Sequence, residues 1–287
     1  MSVVQTIPAA ATPADSTQRE IRVNRQDSNT SSNQNRELTP LETISHGGPT
    51  LQGPPANVSF AAERLHRLNH MAAVFRHWSR EGYFPQSFWT NPLGVHFGLL
   101  TASDIVLVNL DGRVIGGNRS RPANTAGFLI HAAVHEARGD VDAACHCHSP
   151  AGKAWSATGR RLDMMTQDAC KFLGDAHAVY DAYGGIDCPL ARPARQGCIL
   201  KNHGLLTVGR TVDEAAWLFD ATEHACRDQL AVEAATAGGV NGVTKALIGE
   251  EQARVNFELE ADADYCYAEF QVYYDYEYQM SGGQFTK

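Results

Sequence analysis

The sequence predicts one α/β domain in which helices and strands are intermixed around a layered sheet. Three observations lead there. Short runs such as "DIVLVNL" and "VDAACHCH" have the length and the Val, Ala and Cys content of strands. Segments of helical period lie before, between and after them. The chain has 287 residues, 43% of them hydrophobic, which is enough for a sizeable core.

Residues 1–55 come first, rich in Ser, Thr, Asn, Gln and Pro, and "QDSNTSSNQNRELTP" has almost no large apolar side chain. Such a stretch cannot bury enough surface to offset its ordering entropy, so it is expected to be disordered. The folded domain is expected over 56–245. Its first helix is "FAAERLHRLNHMAAVFRHWSRE", with Phe60, Leu65, Leu68, Met71, Ala72, Val74 and Phe75 near helical spacing. Ile105 to Leu110, the turn Asp111-Gly112 and Val114-Ile115 read as a hairpin. "ANTAGFLIHAAVHEARGD" reads as a helix ending near Gly139, and "VDAACHCH" as a strand. A turn and a strand at Cys198 to Lys201 follow. The clearest helix starts at the capping box Thr211/Glu214, repeats apolar residues at Ala215, Leu218, Ala221, Ala225 and Leu230, and stops at Gly238-Gly239. Residues 246–287 form an acidic, aromatic extension, expected as a helix or arm that packs on a neighbouring subunit.

The formal net charge of −8 argues against a general nucleic-acid binder, because phosphate neutralisation needs a basic face. No run approaches the roughly 18 apolar residues that a membrane helix needs. The N-terminus lacks the basic start and apolar core of a secretory signal, and seven cysteines without framework spacing read as reduced thiols. Together these point to a cytoplasmic protein.

The chemistry concentrates in "ACHCHSPAGKAW". On a strand, residues two apart share a face, so His146 and His148 project together while Cys145 and Cys147 point the other way. The cysteines then pack as small hydrophobes, and C-x-C is not a redox C-x-x-C. The third imidazole is His203 in "ILKNHGLLTVG", before a glycine that permits close backbone approach. Three neutral imidazoles with an open position suit Zn²⁺, Fe²⁺ or Mn²⁺. The competing reading is a strand whose histidines are structural. His131 and His135 at i, i+4 are a rival pair, but Ala132 stands where a zincin needs glutamate, so we read them as partly buried helix residues. Tyr180 and Tyr183 are candidates for the pocket edge. Strand alternation puts Lys201 on the face of His203, within reach of an anionic substrate.

"NPLGVHFGLLTASDIVLVNLDGRVIGG", "AACHCHSPAGKAWSATGRRLDMMTQDAC", "AVYDAYGG" and "CILKNHGLLTVGRTVDEAAWLFDATEHAC" together resemble the class II aldolase/adducin head-domain family, in its adducin-like branch. The resemblance covers about residues 60–235. It implies a three-layer α/β/α fold with a central, mainly antiparallel sheet. It also implies homo-oligomers, often four-fold tetramers with sites between subunits, and a divalent ion, Zn²⁺ foremost, on His146, His148 and His203. The catalytic members polarise a substrate's carbonyl and hydroxyl on that ion and stabilise an enediolate. Three departures stand out. The family's proton-moving glutamate falls at about Gly127, and Glu136 lies too far along the same helix to replace it. The tyrosine acid falls near Gln167, beside the titratable Asp168. The G-x-x-S-x-R loop for a phosphate or carboxylate is shortened or missing between "REGYFPQSF" and "WTNPLGVHF".

Three functions are consistent with this pattern. The first is a metal-dependent aldolase-type lyase, or a related decarboxylase, acting on a small oxygenated and non-phosphorylated molecule, with Asp168 as a catalytic candidate and Gln167, Tyr180 and Lys201 as pocket candidates. The second is a non-haem iron oxygenase using the same histidines. The third is a non-catalytic adducin-like interaction module, which retention of the metal histidines argues against.

Overall fold

A computed structural model describes residues 38–45, 48–56, 59–80, 92–109, 113–123, 125–181, 190, 195–239 and 242–287. The central sheet has the strand order β3-β6-β5-β4, formed by β3 (Ala143–Cys147), β4 (His177–Tyr180), β5 (Gly197–Leu200) and β6 (Gly204–Gly209). The pairs β3/β6 and β5/β6 are antiparallel, and β4/β5 is parallel. A separate antiparallel hairpin joins β1 (Val106–Val108) to β2 (Val114–Gly117). This is the hairpin expected from the sequence; its Asp111-Gly112 turn lies outside the described residues.

Strand alternation sorts the side chains of β3 into two cores. Ala143, Cys145 and Cys147 face one side, where they join Val74 of α2 (Phe60–Arg80), Trp155 of α4 (Pro150–Ser156), Phe219 of α5 (Val212–Thr236) and Phe270 of α7 (Ala263–Ser281). Ala144 faces the other side with Leu206 and Val208, under Ile130 and Val134 of α3 (Thr125–Ala137). The sheet is therefore the middle of three layers. Full burial of a large aliphatic or aromatic side chain contributes roughly 1.5–3 kcal/mol, so both faces hold the sheet in place.

The helical layer carries buried polar rungs. His77 Nε2 lies 2.7 Å from Asp220 Oδ2, and His70 Nδ1 pairs with Asp213. The two histidines are seven residues apart on α2 and the two aspartates seven apart on α5, so these helices run parallel, with one rung per heptad. Gln271 of α7 donates to Asp213 at 3.0 Å.

Several expectations change. The strand β6 was not anticipated. The region 246–287 is not an appended arm, because α6 (Glu250–Glu260) and α7 pack within the chain and place Ala253, Cys266 and Phe270 in its interior. Within the segment expected to be disordered, Pro40–Ser45 forms a short helix (α1), opened by Thr39 and Glu42, which bond reciprocally through side chain and backbone. Residues 1–37 lie outside the described residues. The Thr211 cap on α5 is present, its hydroxyl accepting from Glu214 N at 3.1 Å. The Glu214 carboxylate accepts from Arg210 N at 2.7 Å.

Candidate metal centre

His146 sits on β3, His148 just beyond its end, and His203 in the turn between β5 and β6. The hydrogen-bonded pairing of β3 with β6 sets His146 opposite Leu206 and Cys147 opposite Leu205, which brings the two chain segments together. The ring centroids lie 5.2 Å apart for His146–His148, 4.8 Å for His146–His203 and 4.5 Å for His148–His203. One nitrogen from each ring falls within 4.8 Å of the other two.

Two backbone features allow this approach. Leu200 pairs with Gly204, leaving Lys201, Asn202 and His203 as a three-residue turn, and Asn202 takes φ 57°. Asparagine tolerates that left-handed conformation better than most residues. At Gly204 a Cβ would stand 2.5 Å from the Cys147 carbonyl oxygen. Only glycine lets β6 start this close to the end of β3.

The imidazoles are prepared to be ligands. His146 Nδ1 is 2.7 Å from the Leu205 carbonyl oxygen. A carbonyl only accepts, so Nδ1 holds the proton and Nε2 carries the lone pair. Burial pushes His146 well below the ordinary histidine range, with His203 and His148 adding to the effect. Burial likewise brings His148 down to about 4, and lowers His203. All three are neutral at physiological pH, the state that binds metal. An all-nitrogen set, with the tautomer of His146 fixed by the Leu205 carbonyl, fits a divalent ion of the zinc or iron type.

A buried carboxylate braces the strand end. Glu223 of α5 accepts from Ser149 Oγ at 2.5 Å, Ala151 N at 2.8 Å and Gly152 N at 2.6 Å. It caps α4 from another helix and fixes the turn that follows His148. Sequence reasoning missed it, since a glutamate in mid-helix gives no local cue.

The other candidates separate. Gln167 donates to Glu260 of α6. Asp168 is 57% exposed and pairs with Lys171 at 3.1 Å. Within one chain neither joins the imidazole group. Lys201 lies in the turn 201–203, to which strand alternation does not extend, and its ammonium donates to Asp181. Tyr180 packs on the α3 side, its hydroxyl buried and without a hydrogen-bond partner among the described residues, and its carbonyl accepts from Lys201 N at 2.9 Å. Tyr183 and the shortened loop around 81–91 lie outside the described residues. Gly127 is on α3 and Glu136 is exposed at that helix's far end. His135 Nδ1 approaches the Val141 carbonyl at 3.1 Å. His131 is fully buried rather than partly so.

Comparison with known proteins agrees with this geometry. The 4-hydroxy-3-prenylphenylpyruvate oxygenase/4-hydroxy-3-prenylbenzoate synthase of Streptomyces roseochromogenus subsp. oscitans is 35% identical over 69% of this chain and 78% of its own. Decarboxylase NovR of Streptomyces niveus is 35% identical over 66% of this chain and 78% of its own. The solved structure of L-fuculose 1-phosphate aldolase from Glaciozyma antarctica PI12 superposes with a TM-score of 0.74 at 35% identity, covering 82% of this chain and 97% of that one. Residues 57–230 match the family described as Class II Aldolase and Adducin N-terminal domain, and the chain belongs to that family.

Proposed function

We propose that the protein is a divalent-metal-dependent lyase that breaks or forms a carbon–carbon bond, by aldol chemistry or decarboxylation, in a small oxygenated and non-phosphorylated substrate. The observation that carries this reading is the set of three neutral imidazoles within 4.8 Å of one another. Zn²⁺ is the first expectation, with Fe²⁺ or Mn²⁺ as other occupants. Such an ion, when bound, supplies a Lewis acid that polarises a carbonyl oxygen. His146, His148 and His203 hold it, the Leu205 carbonyl orients His146, and Glu223 braces the turn after His148. Tyr180, with its buried hydroxyl, is a pocket-edge residue in this reading. Asp168, exposed on its own chain, acts in a neighbouring copy's site of a homo-oligomer, with a tetramer expected. The protein works in the cytoplasm; among the described residues no helix is long and apolar enough to cross a membrane.

A second reading has its own support. A relative named as an oxygenase is 35% identical over most of its length, and three histidines also suit Fe²⁺. In that reading the same centre performs oxidative carbon–carbon cleavage.

The test starts with elemental analysis of purified protein, expected to find about one divalent ion per chain. Protein loaded with Zn²⁺ or Fe²⁺ is then offered a panel of hydroxy-carbonyl and 2-oxo acids. Oxygen-independent cleavage supports the lyase. Oxygen uptake coupled to product, with Fe²⁺ alone, supports the oxygenase. Absence of stoichiometric metal sinks both.

A further inference from the structure

His131 on α3 is fully buried, and among the described residues neither of its ring nitrogens has a hydrogen-bond partner. The other deeply buried histidines are engaged. His70 and His77 meet aspartates, and His146 meets a carbonyl. His177 is held by the Phe172 carbonyl and by Leu162 N. A neutral imidazole always presents one N–H and one lone pair, and leaving such groups unmatched in a dry interior is destabilising. A fold that keeps an imidazole in this state has a use for it.

The layer arrangement indicates what that use is. Ile130 and Val134 of α3 pack on the sheet face that carries Ala144 and Leu206. His131 is three residues before Val134, beside it on the helix surface, and one turn after Gly127. His146 is two residues beyond Ala144 and opposite Leu206, so it projects from that same face toward α3. Burial, with smaller contributions from His135 and His146, holds His131 well below the ordinary histidine range. The one carboxylate of α3, Glu136, is exposed and takes no part.

We propose that His131 is a ligand-binding residue of this centre, whose imidazole hydrogen-bonds an oxygen of the molecule held at the three histidines. The inference rests on the metal-centre reading above. Its chemistry selects a ligand with two neighbouring oxygens, one for the metal and one for His131, such as a hydroxy-carbonyl, a 2-oxo acid or a hydroxamate.

Acetohydroxamate serves as the probe, titrated into the full-length Zn²⁺-loaded protein. The His131→Phe variant is expected to keep about one Zn²⁺ per chain and to bind acetohydroxamate about tenfold more weakly, the effect of losing one hydrogen bond. His131→Gln, which retains a donor and an acceptor, recovers part of that loss. Wild-type affinity in a Zn²⁺-loaded His131→Phe protein overturns the proposal and leaves the metal-centre reading standing. Should that variant fail to fold, the wild-type protein with ¹⁵N-labelled histidine decides the matter. The His131 ring resonances, assigned by their loss in His131→Gln, are expected to shift on adding acetohydroxamate. Unmoved resonances overturn the proposal. Wild-type protein that binds no Zn²⁺ overturns both readings together.

Discussion

His70, between α2 and α5, and His146, on β3, are each 2% exposed. Their partners differ. His70 and His77 each meet an aspartate carboxylate in a rung that ties two helices together. His146 meets a neutral carbonyl, and its other near neighbours are the rings of His148 and His203. Depth of burial therefore does not separate a structural histidine from a ligand. What separates them is whether the protein has already supplied the ring with an anion. Where it has, the pair acts as a clamp. Where it has not, lone pairs converge on space that a cation can fill.

Substitutions should separate the two kinds of buried histidine. The largest effect is expected from His148→Ala, which removes one of three donors. Bound metal should fall from about one ion per chain to near zero, read by elemental analysis, while the metal-free variant keeps its fold. Asp213→Ala should do the reverse. It leaves His70 buried without its anion and removes one of the acceptors of Gln271, so stability should drop by about 3 kcal/mol in urea titrations, with metal content unchanged. Loss of metal in this variant would show that the two regions are not separable. Glu223→Ala bridges them, because a carboxylate on the clamp helix α5 serves the turn beside a ligand. Metal affinity should weaken by about 10–100-fold, measured by competition with a chelator, and an unchanged affinity would reduce Glu223 to packing.

The smallest effect is a gradual one with pH. Burial holds His148 and His177 at about 4, against an ordinary value of 6.5. The unfolded chain therefore takes up protons that the folded chain refuses. Metal-free protein should have its full stability above roughly pH 6.5 and lose it progressively as the pH falls toward 4. Adding Zn²⁺ should oppose that loss, since it binds the neutral rings. A urea midpoint that stays flat across this window would contradict the assignment.

Much of the centre was legible because one strand encodes it. H-x-H with interleaved cysteines specifies which side chains share a face, and the structure places the thiols in one core and His146 over the other. His203 was also legible, through the glycine that follows it. At Lys201 alternation was carried past the end of a strand, where Asn202 turns the chain. The Asn-His-Gly run was the available turn signal. The strand β6 escaped because every one of its residues is buried, which erases the polar-apolar alternation that marks a half-exposed strand. The rungs between α2 and α5 were invisible for another reason. Their partners are 143 residues apart, and nothing local records which helices become neighbours.

The interleaving on β3 has a consequence for metal choice. Cys145 and Cys147 alternate with His146 and His148 but are turned into the opposite core, where burial pushes both thiols above their usual range. The centre is thereby limited to nitrogen, and thiophilic ions such as Cu⁺ or Cd²⁺ gain no sulfur from it. A slip of one residue in the pairing of β3 with β6 would exchange the faces and present sulfur to the site instead. The register of this strand pair thus decides whether nitrogen or sulfur faces the cluster.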